Sequence, residues 1–212
     1  MNKVVVLDYG SSNLRSVVKA LQYVAGTDHS VDLSANPDTI LAADRIVFPG
    51  QGAIKQCMSS ISTRGLMDVL LECIRNKPFL GICLGLQSLM DSSEEDGGTE
   101  ALGIIPGKVC KFPDRARDTH GDILKVPHMG WNNVSFCMQH PLWKGIDPGS
   151  RFYFVHSYYV KPDDDVNIAA ATDYIFEFTS AVARDNLFAV QFHPEKSQQA
   201  GLMLLRNFLE WN

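Results

Sequence analysis

The chain has 212 residues, 45% of them hydrophobic, and a formal net charge of −5. It is long enough to bury a core of its own and has no basic cluster to suggest nucleic acid. No apolar run reaches about 18 residues, and Met1-Asn2-Lys3 leads straight into a strand-like segment, so neither a membrane span nor a signal peptide is expected. Five cysteines without a C-x-x-C pair argue against a disulfide scaffold and a zinc knuckle, and a reducing, cytoplasmic compartment is the expectation.

Val4-Val5-Val6-Leu7 is a continuously apolar run that predicts a buried strand, and Leu14, Val17, Val18, Leu21 and Val24 follow at helical spacing. Arg45-Ile46-Val47-Phe48 and Phe79-Leu80-Gly81-Ile82 repeat the pattern, each followed by a helical stretch. This alternation predicts an α/β fold with a mostly parallel sheet and helices on both faces. From about Val109 to Val182 the signal changes to short strand-like runs, including Val134-Ser135-Phe136, Phe152 to Val155 and Ile168 to Ala170. These predict antiparallel additions to the central sheet. Leu187 to Phe192 reads as a buried strand, and Ser197 is placed to cap a last helix striped by Leu202, Leu205, Phe208 and Leu209. The acidic runs Glu94-Glu95-Asp96 and Asp163-Asp164-Asp165 read as solvated loops. With no linker, repeat or low-complexity segment, residues 1–212 are expected to form a single domain.

The chemistry concentrates in two segments. Gly81-Ile82-Cys83-Leu84-Gly85-Leu86-Gln87 places a thiol between glycines at a strand-to-helix turn, the G-x-S-x-G elbow with cysteine for serine; Leu84 to Met90 reads as the helix. A helix N-terminus there favours the thiolate, and a base is needed to complete the site. His193, at the end of the Leu187 to Phe192 strand, supplies an imidazole, and Pro194 lets Glu195 turn back to orient it. Cysteine and histidine are each more often structural than catalytic, but the glycine bracket and the His-Pro-Glu segment reinforce one another. His193-Pro194-Glu195 also fits half of a zinc deaminase signature, yet no P-C-x-x-C follows, so no metal or cofactor is expected.

With these segments the chain is similar to the triad (class I) glutamine amidotransferases, whose fold is flavodoxin-like. Within them it resembles the glutaminase subunits of imidazole glycerol phosphate synthase through Asp8-Tyr9-Gly10 with Asn13-Leu14, Pro49-Gly50-Gln51-Gly52, Val126-Pro127-His128-Met129-Gly130-Trp131-Asn132 and Tyr153 to Tyr158. The resemblance implies glutamine as substrate and a Cys83-His193-Glu195 triad. It also implies an oxyanion hole from the backbone of Gln51 and Leu84, and substrate contacts from Gly50, Gly52, Gln87, His156, Ser157 and Tyr158. A cyclase subunit would take the ammonia, with Asn13, Trp131, Tyr153 and Lys196 facing it, although Trp131 and Tyr153 read equally as core aromatics. The chain departs from the family pattern at Gln51, where an apolar residue is usual, and at Ser12, where glycine is frequent. The resemblance further implies a loop at Gly50 to Gly52 that reorients when the partner is loaded, and an ordinary strand-to-helix turn explains those glycines equally well. Two alternatives stay open: a glutaminase serving another acceptor, such as a sugar or pyridoxal phosphate precursor, and a non-catalytic regulatory subunit.

Overall fold

The computed structural model describes residues 1–115 and 123–211. Its first half alternates strand and helix: β1 (Asn2–Leu7), α1 (Leu14–Ala25), β2 (His29–Ser34), α2 (Pro37–Leu41), β3 (Arg45–Gly50), α3 (Ile54–Thr63), α4 (Met67–Asn76), β4 (Phe79–Cys83) and α5 (Leu84–Gln87). Short strands follow: β5 (Ser92–Ser93), β6 (Thr99–Glu100), β7 (Gly107–Lys111), β8 (His128–Asn133), β9 (Ser135–Phe136), β10 (Arg151–His156), β11 (Tyr158–Pro162), β12 (Ile168–Asp173), β13 (Glu177–Arg184) and β14 (Leu187–Val190). The chain closes with α6 (Gln198–Glu210).

Among the described residues a 12-stranded sheet runs β2-β1-β3-β4-β14-β13-β11-β7-β5-β6, with β12 paired to β13 and β9 to β12. The β2-β1-β3-β4-β14 portion is parallel throughout, and β14 meets β13 antiparallel. Alternation along the central strands divides the core. Val4, Val6, Val47, Leu80 and Ile82 pack with Leu21 of α1 and Leu205 and Phe208 of α6. Val5, Leu7, Ile46, Phe48 and Phe79 pack on the other face with Ile54, Ile61, Leu70 and Ile74 of α3 and α4. A strand covered on both faces has to be apolar at consecutive positions, which is why these strands were legible as unbroken runs.

The structure corrects four expectations in detail. Phe152 to Val155 does not join the main sheet; β10 pairs with β8 in a separate two-stranded sheet, where Phe152 and Phe154 turn inward. The helix after Cys83 is a single turn of 4 residues rather than a run to Met90. The Leu187 strand ends at Val190. Ser197 stands at the head of α6 but makes no side-chain cap there. Its Oγ donates to the carbonyl of His193 at 2.6 Å and accepts from the Tyr153 N–H at 3.0 Å, tying the two-stranded sheet to the histidine segment.

Register positions the site. Gly50 lies opposite Cys83 between β3 and β4, and Val190 lies opposite Ile82 between β14 and β4. The next residue, Gln191, therefore leaves its strand beside Cys83. Close packing at this edge also fixes glycine at position 85, where a Cβ would fall 1.9 Å from the Phe48 carbonyl oxygen. Gly85→Ala is accordingly expected to destabilise the protein by about 3 kcal/mol, through an enforced shift of buried backbone. A urea midpoint within error of wild type would show that the β3 edge yields freely.

Candidate active site

Cys83 closes β4 with φ 55° and ψ −104°, a conformation that L side chains rarely adopt. Its thiol borders a cavity of about 610 Å³, within the size range of small-molecule sites. Gln51, Gly52, Leu84, Gln87, His156, Ser157, Tyr158 and His193 line the same cavity. Gly50 borders the adjoining narrow crevice instead, together with Asn13, His193 and Glu195. The two glycines of the loop have different reasons: Gly52 has φ +93°, whereas a Cβ on Gly50 would meet the Tyr9 hydroxyl at 2.2 Å. The Gln51 side chain donates to the Ser12 hydroxyl, so the two departures noted in the sequence touch one another.

His193 and Glu195 are joined by a 2.8 Å contact from Nδ1 to Oε1, with side chains 5% and 0% exposed. Burial disfavours a charged imidazole, but the neighbouring Cys83 sulfur and the Glu195 carboxylate outweigh it and raise the His193 pKa well above its ordinary value. His193 Nε2 and Glu195 Oε2 are buried without a hydrogen-bond partner among the described residues. With Nδ1–H given to Glu195, Nε2 is the atom left to move a proton, and such contacts tighten when substrate arrives.

The sequence reading missed four contributors. Glu95, expected to be a solvated acid, lines the cavity and accepts from the Ile54 N–H at 2.7 Å, heading α3. Tyr9 lines it too, with a buried hydroxyl whose pKa burial raises. Gln191, fully buried, donates from Nε2 to the Cys83 sulfur at 3.6 Å. His128 forms a 2.9 Å bond from Nδ1 to His156 Nε2. A His-Met-Gly-Trp segment gave no hint of that pairing, which arises only because His128 and His156 are opposite in β8 and β10.

The direction of the imidazole chain is fixed at its end. His156 Nδ1 lies 2.7 Å from the Tyr158 carbonyl, which can only accept, so His156 donates there and accepts at Nε2 from His128. His128 Nε2 in turn accepts from Asn132 Nδ2 at 3.3 Å. Burial lowers both imidazoles, His128 to about 4 and His156 to about 3. Of the expected partner-facing residues, Trp131 is 36% exposed and packs edge-on against Tyr153 at 6.0 Å, with the Lys196 ammonium 5.8 Å from the Tyr153 ring centre. Asn13 adopts φ 64° before α1 and accepts from the Ser16 hydroxyl at 2.7 Å.

Among the described residues no cluster of His, Cys, Asp or Glu is placed to hold a metal ion, and no helix is long and apolar enough to cross a membrane.

The chain belongs to the class-I glutamine amidotransferases: the family profile described as "Glutamine amidotransferase class-I" matches residues 5–211. It is similar to "Imidazole glycerol phosphate synthase subunit HisH" of Methylococcus capsulatus, at 54% identity over 100% of this chain and 97% of that protein. Against the protein of that name from Thiobacillus denitrificans the figures are 56%, 99% and 91%. The resemblance read from the motifs is thereby borne out. Solved structures agree on the fold alone. One described as a glutamine amidotransferase has TM-score 0.71 at 15% identity, covering 97% of each chain. The glutaminase domain of Trypanosoma brucei CTPS with bound acivicin has TM-score 0.65 at 18% identity, covering 100% of this chain and 95% of that one.

The neutral histidine pair gives a signed pH dependence. Unfolded imidazoles titrate near 6.5, so below that pH the unfolded chain takes up protons that the folded pair refuses. The pair's contribution is present above about pH 6.5 and is lost as pH falls through the folded values of about 4 and about 3. His156→Gln should reduce the slope of unfolding free energy against pH between 6 and 4 by about 1.4 kcal/mol per pH unit. Equal slopes in urea titrations of the two proteins would mean that His156 is protonated in the fold.

Proposed function

We propose that this chain hydrolyses glutamine to glutamate and ammonia and delivers the ammonia to a cyclase subunit that makes imidazole glycerol phosphate and aminoimidazole carboxamide ribonucleotide in histidine biosynthesis. The observation that carries the reading is the buried His193–Glu195 pair beside Cys83 at its positive-φ turn, in a chain more than half identical to the subunits named above.

His193 Nε2 takes the thiol proton as the Cys83 sulfur attacks the side-chain amide carbon of glutamine. The oxyanion is received by the backbone N–H groups of Leu84 and Gln51, each such donor being worth about a hundredfold in rate. His193 Nε2 protonates the departing nitrogen, the C–N bond breaks, and ammonia leaves a glutamyl thioester. Water then attacks the thioester, giving its proton to Nε2, and the C–S bond breaks as Nε2 passes that proton to the sulfur, releasing glutamate and restoring the thiol. Glu195 holds Nδ1–H throughout. Gly50, Gly52, Gln87, His156, Ser157 and Tyr158 shape the substrate site, all but Gly50 bordering the main cavity.

Ammonia is protected only if it passes directly to its acceptor, so the cyclase subunit covers the face presented by Asn13, Trp131, Tyr153 and Lys196. Docking there completes the Gly50 to Gly52 loop when the partner holds its nucleotide. Free thiols at all five cysteines suit a reducing cytoplasm.

Glutamate release is expected to rise about a hundredfold when the purified chain is combined with an imidazole glycerol phosphate synthase cyclase subunit and its nucleotide substrate, the value of one completed oxyanion donor. Cys83→Ala should remove that activity by at least about 10⁴-fold while leaving partner binding intact. Full activity in this variant, or no rise with a demonstrably active cyclase, would refute the assignment.

A further inference from the structure

We infer that Gln191 is a catalytic hydrogen-bond donor to the Cys83 sulfur, its amide turned the productive way by the backbone carbonyl of Tyr158. The inference rests on the glutaminase reading and adds a fourth side chain at the reacting group.

The polarity of this contact follows from a chain of bonds whose end cannot be reversed. The Tyr158 carbonyl only accepts, and it receives both His156 Nδ1 at 2.7 Å and Gln87 Nε2 at 3.2 Å. The Gln87 amide is thereby oriented with its nitrogen inward. Its second hydrogen goes to Gln191 Oε1 at 3.1 Å, which leaves Gln191 Nε2 facing the Cys83 sulfur at 3.6 Å. Turning the Gln191 amide over would set N–H against N–H at Gln87 and a carbonyl oxygen against the sulfur. In a fully buried position both mismatches would go unrelieved. The neutral His128 and Asn132 donate toward the same carbonyl from the β8 side through His156, so both chains of bonds converge on the Tyr158 oxygen.

The sulfur needs such a donor. The helix after Cys83 is one turn long, too short for a developed macrodipole, so the aligned peptide dipoles expected from sequence are largely missing. A hydrogen bond to the charged form favours it, and a donor to sulfur also holds the side chain aimed into the cavity. His193, paired with Glu195, is the titratable group next to the sulfur, and Tyr9, Cys57, Glu95 and Tyr158 line the same cavity. None of these supplies a donor with a fixed direction and no charge.

The test is the pH dependence of alkylation at Cys83 by iodoacetamide, read by peptide mapping on the whole chain. Exposed Cys137 is the internal reference, and unlabelled Cys57 and Cys73 are the criterion of an intact fold. In wild type, Cys83 should react faster than Cys137 near neutrality; if it does not, the glutaminase reading itself fails. Gln191→Met should move the Cys83 midpoint up by about one pH unit and lower its rate at pH 7 by about fivefold, with Cys137 unmoved. Gln191→Glu keeps the shape and carries the test if the methionine opens the fold. Its rate relative to wild type should rise toward acid, as the carboxyl regains an O–H donor. Midpoints within 0.2 units of wild type, and a ratio flat with pH, would overturn the inference while leaving the triad in place.

Discussion

Everything at this site depends on Cys83 holding a positive φ at the end of a strand buried on both faces. Such a conformation in a non-glycine residue costs on the order of 1–3 kcal/mol and survives only where its surroundings over-determine it. Phe48 in the neighbouring strand and Phe79 at the start of the same strand, both fully buried, each contribute about as much through burial alone. Both flanking glycines are needed for that packing: a Cβ on Gly81 would lie 2.9 Å from the Ala189 Cβ, and one on Gly85 would strike the Phe48 carbonyl.

Around this fixed thiol, identical side chains are driven to opposite protonation states by what they face. His193 meets a buried carboxylate and the sulfur, which raise its pKa against the effect of burial. For His156 burial dominates, the Tyr158 carbonyl offsets it only in part and the neighbouring imidazoles add to it, so the ring stays neutral. Environment thereby separates two like side chains, one paired with a carboxylate and the other a neutral link between His128 and the Tyr158 carbonyl.

The central sheet was legible because strands covered on both faces must be apolar at every position, as in Val4 to Leu7 and Phe79 to Ile82. The grouping of Cys83, His193 and Glu195 was legible because these residues sit in short segments with unusual punctuation, the glycines around Cys83 and Pro194 between His193 and Glu195. What escaped was pairing between distant segments. Phe152 to Val155 alternates like any half-buried strand, and only the His128 to His156 register shows that it belongs to a separate sheet. Ser197 resembles a helix cap by position, yet its hydroxyl serves β10 and His193 instead. Glu95 sits in an acidic run typical of a solvated loop, and nothing local says that Ile54, 41 residues earlier, lends it an N–H.

Gln51 and Ser12 bring the same lesson to bear on the loop beside the thiol. The two positions lie far apart in the sequence, but their side chains meet in the structure. An exposed neutral hydrogen bond contributes only about 1 kcal/mol, because water offers the same partners. A bond of that size biases the loop toward the arrangement described without locking it. The oxyanion donor proposed at Gln51 is a backbone group, so the side chain can engage Ser12 without occupying that donor. What holds the loop more firmly is Tyr9, which leaves no room for a side chain at position 50, and the positive φ of Gly52. Those are constraints of shape, and they act on the same peptides whose orientation the chemistry requires.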